Sequence, residues 1–173
     1  PKLVSNLGSG YLFGYIPYAF LTFLLLSLVF AFILHKTSVG KKIYSIGNNP
    51  DAARYTGIAV DKYTFVLFTL NGVFSAIAAI FLAGRLSSVR PNIAFGWELE
   101  IITMVVLGGV YIYGGSGSIL GVVISIFILG MLSFGLGLLN VPGVGIIIFT
   151  GLLLILSIGF PSFCLLYTSD AAD

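Results

Sequence analysis

The sequence predicts an all-α fold, a polytopic transmembrane helical bundle with about five membrane segments. Hydrophobic residues make up 58% of the 173-residue chain and charged residues only 8%, whereas soluble domains carry about 25% charged residues. The apolar residues form long uncharged runs, and about 20 such residues in a helix cross a hydrocarbon core of about 30 Å. The charged residues gather in the connections between these runs, as expected for loops at a membrane surface.

The first two apolar runs are long enough to cross a membrane. Residues 11–34 hold no charge, and Pro17 lies near their start, where a missing backbone N–H is tolerated. Residues 63–83 form the second run, whose second half is rich in small residues that allow close helix packing in lipid. Both runs are therefore predicted to be membrane-spanning helices.

The remaining three segments are separated by glycine and proline. The third, residues 101–113, is short for a full crossing unless residues 95–99 join it, so it is tilted, broken or partly re-entrant. The "GGSGS" run at 114–118 predicts a break before the fourth segment, residues 119–139. "NVPGVG" at 140–145 predicts a turn, residues 146–160 form the fifth segment, and Pro161 is predicted to end it.

Basic residues orient the segments. Five of the eight Lys and Arg residues lie in the first polar connection, residues 35–62, and the positive-inside rule places that loop in the cytoplasm. Arg85 and Arg90 lie in the second connection, residues 84–100, which is then predicted to lie outside. The five loop residues are Lys36, Lys41, Lys42, Arg54 and Lys62.

The two ends of the sequence look unlike the rest. It begins at Pro1 with no Met and no signal-peptide pattern, so we expect that its start is missing. Residues 164–173, "CLLYTSDAAD", resemble the conceptual translation of a transposase-derived sequencing adapter. We expect this tail to be non-native, the alternative being a genuine short cytoplasmic tail.

A short capped helix is predicted within the first polar connection, in the stretch "GKKIYSIGNNPDAARYTG" at 40–57. Asn49 suits the N-cap and Pro50 the first helical position, while Asp51 complements the positive end of the helix dipole. Gly57 suits a left-handed stop. Such a helix either lies solvated on the bilayer surface or presents a rigid contact surface to a partner.

Three separated blocks carry a resemblance to one family. "GKKIYSIGNNPDAARYTGI" at 40–58 resembles the cytoplasmic loop of permease subunits in bacterial ABC importers of the ribose-type monosaccharide and autoinducer-2 group. "RPNIAFGWELEIIT" at 90–103 and "VVLGGVYIYGGSGSILGVVI" at 105–124 are similar to two further blocks of that family. The resemblance covers residues 37–160 and implies that residues 1–163 are the carboxyl-terminal part of a permease domain.

The resemblance implies a coupling role for the loop at 35–62. In that family the loop docks in a groove of a cytoplasmic ATPase subunit, and Ala52 and Ala53 are expected to be small because the groove closes around them. The implied coupling residues are Gly47, Asn49, Pro50, Asp51, Ala52, Ala53, Arg54, Tyr55 and Gly57.

The same resemblance implies the partners and the location. The partners are cytoplasmic ATPase subunits, an extracytoplasmic solute-binding protein, a second permease subunit and the lipid bilayer; no nucleic acid is expected. No cofactor, metal or catalytic residue is expected in this chain, because ATP and Mg are bound by the partner ATPase. The expected location is the bacterial inner membrane, as a multi-pass protein.

Other candidate residues have a structural and a functional interpretation. Glu98 and Glu100 are either interfacial carboxylates beside Trp97 or contacts to the solute-binding protein. Asn71 either hydrogen-bonds between helices or lines the solute pathway. Gly117 and Gly121 form a G-x-x-x-G pattern. Six glycines are candidates for helix packing or a hinge: Gly108, Gly109, Gly114, Gly115, Gly117 and Gly121.

Competing functions fit less well. "GGSG" at 114–117 matches the G-x-S-G of rhomboid proteases, but the only His, His35, precedes it, whereas the rhomboid base follows the Ser. No P-loop pattern is present, so ATP hydrolysis is expected in a separate subunit. The predicted function is import of a small neutral solute, a monosaccharide in the first instance. The alternatives are a branched-chain amino-acid permease and a secondary transporter or channel fragment.

The predicted orientation can be tested by thiol labelling of the full-length protein in intact cells. Because the loop at 35–62 is predicted to be cytoplasmic, Asn48→Cys should resist an impermeant thiol reagent, whereas Asn92→Cys should react. The reverse pattern of labelling would contradict the orientation.

Overall fold

The computed structural model describes residues 10–12, 15–86, 90 and 92–169, with side chains described as far as residue 159. Two short antiparallel strands are followed by helices that hold most of these residues. The chain forms two units, residues 1–93 and residues 94–173. In chain order the elements are β1 (Tyr11–Leu12), β2 (Ile16–Pro17), α1 (Tyr18–Lys36), α2 (Ser38–Asn48), α3 (Pro50–Tyr55), α4 (Val60–Leu86), α5 (Trp97–Leu107), α6 (Ile119–Leu138) and α7 (Gly143–Ser169).

Three helices of the described residues are long and apolar enough to cross a membrane: α1, α4 and α6. They correspond to the predicted first, second and fourth segments. The third segment, predicted at 101–113, is helical as α5 at Trp97–Leu107: residues 97–99 join the helix, and residues 108–113 lie outside it. Its 11 residues span about 17 Å at 1.5 Å per residue, so the prediction of a segment short for a full crossing is confirmed. Helix α7 is 27 residues long, and its first part, Gly143–Gly159, is apolar and overlaps the predicted fifth segment.

The first helix starts later than predicted because of Pro17. A residue that precedes proline is pushed towards extended conformations, and Ile16 indeed pairs with Leu12 in the two-residue antiparallel ladder. Pro17 is the extended N-cap, with φ −66° and ψ 140°, and α1 begins at Tyr18. Its side chains are all at least partly exposed, so its apolar surface is available to lipid or to other helices.

The predicted end of the last segment is wrong. Pro161 does not end α7, which continues as one helix to Ser169. A proline removes one backbone donor from a helix, but apolar membrane helices tolerate it because local adjustments satisfy the freed backbone groups. A proline near the end of an apolar run is therefore a weaker stop signal here than in a water-soluble helix.

Within the first unit, an aromatic contact joins α1 to α4. The rings of Phe30 and Phe74 meet edge to face, with centroids 5.2 Å apart and planes at 83°. Edge-to-face pairs add about 0.5–1.5 kcal/mol beyond the area that they bury. This contact links the two long apolar helices that flank the polar loop.

Within the second unit, α5 lies antiparallel to α6. The backbones of Gly108 and Gly121 approach so closely that a Cβ on either would overlap the other helix. Further along, the Ser125 hydroxyl donates to the Met104 carbonyl, and α5 also packs against α7. The fully buried residues Thr103 and Leu129 lie on α5 and α6.

The close approach of α5 and α6 predicts opposite effects for two glycine substitutions in α6. Gly130 has open space around it, so Gly130→Ala should gain up to about 1 kcal/mol of helix propensity. In Gly121→Ala the new methyl would overlap the Gly108 carbonyl, and overpacking costs about 1–3 kcal/mol. Denaturation of the purified full-length protein in detergent should rank the two variants in that order. Equal stabilities would contradict the close backbone contact.

Candidate coupling site

The polar connection between α1 and α4 is almost entirely structured. Thr37 ends α1, and its side chain accepts a hydrogen bond from the Gly40 N–H at 3.5 Å as the N-cap of α2. Gly40 is buried, and an added Cβ would overlap the backbone of Leu34 at the end of α1. The corner between α1 and α2 therefore requires glycine at position 40.

Helix α2, Ser38–Asn48, was not predicted from the sequence. Its apolar residues Val39, Ile43 and Ile46 recur at helical spacing, while Lys41 and Lys42 are exposed. That periodicity was the available signal. The two glycines within the segment, which usually weaken a helix, obscure it.

The predicted short helix is confirmed as α3, Pro50–Tyr55, together with its start signals. The Asn49 side-chain oxygen accepts hydrogen bonds from the backbone N–H groups of Asp51 at 3.1 Å and Ala52 at 3.0 Å. Pro50 occupies the first turn, where its missing N–H loses no hydrogen bond. These contacts satisfy donors that a six-residue helix would otherwise leave unpaired.

The predicted stop of α3 is also confirmed. Gly57 adopts φ +83°, in the left-handed region. Its N–H donates to the Arg54 carbonyl at 2.9 Å, and the Ile58 N–H donates to the Ala53 carbonyl at 3.1 Å. This pair of bonds is the Schellman arrangement, which satisfies the last carbonyls of a helix.

Side contacts attach the loop to the start of α4. Arg54 forms an ion pair with Asp61, with Nη2 to Oδ1 at 2.7 Å. Lys42 in α2 lies over the ring of Tyr63, with its Nζ 5.9 Å from the ring centre. Both sites are exposed enough that each contact contributes about 1 kcal/mol or less. The first contact joins α3 to α4 and the second joins α2 to α4, so both orient the loop on α4 rather than stabilise the fold strongly.

The expectation that Ala52 and Ala53 both face a partner is wrong for Ala53. Ala53 is only 4% exposed and packs within this chain, whereas Tyr55 is 93% exposed and Ala52 is exposed. The helical rotation of about 100° per residue turns neighbouring alanines to different directions. The outward surface of α3 therefore includes Ala52 and Tyr55, with Asp51 and Arg54 also exposed, and Gly47 lies in α2.

The predicted packing glycines divide into two groups. Gly108 and Gly121 make the close contact between α5 and α6, while Gly109, Gly114 and Gly115 adopt positive φ in the connection between those helices. The G-x-x-x-G interpretation is wrong in part, because α6 begins only at Ile119. Gly117 therefore precedes the helix, and a Cβ there would meet Val110 of the connection at 3.0–3.3 Å.

The two predicted carboxylates have different surroundings. A Glu98 oxygen accepts from the Gly96 N–H at 3.1 Å, at the start of α5. Glu100 accepts from the Ser133 hydroxyl of α6 at 3.2 Å, a contact between distant positions that sequence analysis could not find.

Asn71 is exposed on α4, and among the described residues its amide makes no hydrogen bond. The described residues contain no cluster of three or more His, Cys, Asp or Glu that could hold a metal.

Three helices of the described residues are apolar and long enough to cross a membrane, and the polar loop between the first two folds into a capped helix. These features define a polytopic membrane protein with a structured loop between two of its spans. The family model described as "Branched-chain amino acid transport system / permease component" matches residues 3–158. The chain belongs to this permease family.

Three individual relatives show which permeases of this family the chain resembles. The chain is 37% identical over 158 residues to the autoinducer 2 import system permease protein LsrD of Photorhabdus luminescens, covering 91% of this chain and 47% of the relative. It is 36% identical over 151 residues to the ribose import permease protein RbsC of Bacillus subtilis, covering 87% and 47%. It is 40% identical over 127 residues to the xylose transport system permease protein XylH of Haemophilus influenzae, covering 73% and 34%.

These matches confirm the resemblance to permeases of the ribose and autoinducer-2 group. The chain spans about half the length of LsrD and RbsC and about a third of XylH. No solved structure gives a significant match.

The cap of α3 predicts a local effect of Asn49→Ala. Loss of an Asn cap costs about 1 kcal/mol, so amide exchange over Asp51 and Ala52 should accelerate by about fivefold. Asn48→Ala is the matched control, because Asn48 is exposed and provides no cap. Hydrogen exchange read by mass spectrometry on the full-length protein would contradict the cap if both variants exchanged alike.

Proposed function

We propose that this chain is part of the membrane-spanning permease subunit of an ABC importer in the bacterial inner membrane, and that α3 is its coupling helix. The observation that carries the proposal is the loop itself. A six-residue helix capped at both ends and attached to α4 by the Arg54–Asp61 ion pair presents Ala52 and Tyr55 outward. A short helix with defined ends and an exposed outer face suits the transmission of force to a partner subunit.

The proposed partners follow from this role. Cytoplasmic ATPase subunits bind and hydrolyse ATP with Mg, a second permease subunit completes the pathway, and an extracytoplasmic protein delivers the solute. This chain itself is a transport subunit and performs no catalysis. Support comes from membership of the permease family and from relatives named as import or transport permeases.

The proposed solute is a small neutral molecule of the monosaccharide class. The family description names branched-chain amino acids, but the relatives described above are named for autoinducer 2, ribose and xylose. Ribose and xylose are uncharged polyhydroxy aldehydes. These names favour the sugar class over the branched-chain amino-acid alternative.

The coupling role predicts that a charge on the outward surface of α3 prevents assembly. In the full-length permease, Ala52→Glu would place an unpaired charge in the contact with the ATPase, and a buried unpaired charge costs several kcal/mol. Since about 1.4 kcal/mol changes an equilibrium tenfold, copurification with the ATPase and solute-stimulated hydrolysis should fall more than tenfold. The amount of permease in the membrane should stay unchanged.

Ser45→Glu is the matched control, because Ser45 is exposed on α2 and gains the same charge outside α3. Ala53→Glu is unsuitable as a test, since Ala53 is buried in this chain and the substitution would disrupt the loop itself. Assembly and hydrolysis in Ala52→Glu as high as in Ser45→Glu and the wild type would reject the coupling role of α3.

A further inference from the structure

Helix α2 starts at the level where a membrane-length helix ends. Helix α1 is apolar and 19 residues long, about 29 Å at 1.5 Å per residue, which matches a hydrocarbon core of about 30 Å. Both ends of α1 therefore lie close to membrane surfaces, and Lys36 is its last residue. Thr37 alone separates α1 from α2, so α2 begins at that surface.

Contacts with α1 show that α2 does not project away along the axis of α1. On a continuous straight helix, Tyr44 would lie about 14 Å beyond His35 at 1.5 Å per residue. Instead the centres of these two rings are 6.4 Å apart. The backbone of Gly40 also lies against that of Leu34. The chain therefore turns sharply at Thr37, and the first two turns of α2 lie across the end of α1.

A contact with α4 places α2 at the level of the next span as well. The Lys42 Nζ lies 5.9 Å from the ring centre of Tyr63, and Tyr63 belongs to the first turn of α4, together with Lys62. Helix α4 is also long and apolar enough to cross a membrane. A helix held between the end of one span and the start of the next lies along the membrane surface.

The side chains of α2 have the pattern of a helix at a membrane interface. Val39, Ile43 and Ile46 share one side at spacings of three and four residues. Lys41 lies on the opposite side and Lys42 at the boundary, and both are exposed. Interfacial helices bury such an apolar side at the level of the headgroups and carry lysines on the polar side. Lysines at the boundary can reach back to the headgroups with their long side chains.

The positive charge at this surface is not balanced within the described residues. Residues 35–62 carry five basic and two acidic side chains, and therefore a net charge of +3. Among the described residues the one ion pair is Arg54–Asp61. The lysines of the segment are exposed and have no carboxylate partner there: Lys36, Lys41, Lys42 and Lys62. Clusters of basic residues beside a membrane helix attract anionic lipid headgroups, so charge complementarity identifies the occupant of this surface.

We propose that α2 is an interfacial helix and that Lys41 and Lys42, together with Lys36 and Lys62, bind the headgroup phosphates of anionic phospholipids. The apolar side of α2 then lies against the acyl chains, while the lysine ammonium groups donate hydrogen bonds to phosphate oxygens. Asn49 alone joins α2 to α3, so lipid bound at α2 also holds the start of α3 at a fixed height above the membrane.

The experiment titrates the purified full-length permease in detergent with phosphatidylglycerol or phosphatidylcholine and counts retained lipids by native mass spectrometry. The wild type should retain phosphatidylglycerol more tightly. Each lysine near an anionic surface contributes about fivefold in affinity, so Lys41→Gln/Lys42→Gln should weaken phosphatidylglycerol binding at least about fivefold. Lys41→Arg/Lys42→Arg is the matched control, because it keeps both charges and should bind like the wild type.

Equal phosphatidylglycerol affinity in the glutamine and arginine variants would overturn the proposal, as would a wild type that retains both lipids alike. Reduced copurification of the glutamine variant with the ATPase, at unchanged lipid affinity, would assign the lysines to the ATPase and would also overturn it. Because the permease alone is titrated with lipid, these results do not depend on the proposed import function.

Nitroxide labels test the placement of α2 if the glutamine variant cannot be purified. Val39→Cys and Ser45→Cys are labelled singly in the full-length permease without other cysteines, then reconstituted in phosphatidylglycerol vesicles. The label at Val39 should collide mainly with oxygen, which concentrates in the bilayer, and the label at Ser45 mainly with a water-soluble nickel chelate. Equal collision of both labels with the nickel chelate would overturn the interfacial placement.

Discussion

Hydrogen bonding of the backbone at helix ends is the constraint on which this structure depends. Each helix end leaves carbonyls without a partner inside the helix, and within an apolar medium water cannot supply one. Helices α3, α5 and α6 use the same arrangement, in which a left-handed residue, Gly57, Gly109 or Asn140, follows the last turn. In each case two successive N–H groups return to carbonyls of that turn. The polar loop and the breaks between apolar segments thereby become fixed corners.

The features predictable from sequence are those set by neighbouring residues. The cap at Asn49, the first-turn Pro50 and the stop at Gly57 act over a few residues, so their residue types were sufficient to place α3. The short third segment was predictable for the same reason, because glycines bound it on both sides. Apolar run length was sufficient for α1, α4 and α6.

The features that sequence analysis missed depend on residues far apart in the chain. Whether Ala52 or Ala53 turns inward is decided by what α3 packs against, which no local pattern reveals. The bond between Glu100 and Ser133 joins positions 33 residues apart, and it separates two carboxylates that look alike in the sequence. The prediction that Pro161 ends the last helix failed for a different reason. The rule that proline stops a helix comes from helices in water, whereas Pro161 follows a long apolar segment.

Asn49 has a further consequence, for the chemical ageing of the loop. Its N–H closes the end of α2 on the Ser45 carbonyl, while its side chain opens α3, so a single residue serves both helices. Asparagine usually deamidates when the following backbone nitrogen attacks the side-chain amide and forms a cyclic imide. Here the following residue is Pro50, whose nitrogen carries no hydrogen and cannot take that path. Pro50, which suits the first position of α3, thus also protects Asn49 from deamidation by this route. The connection between α2 and α3 is therefore chemically durable as well as fixed in geometry.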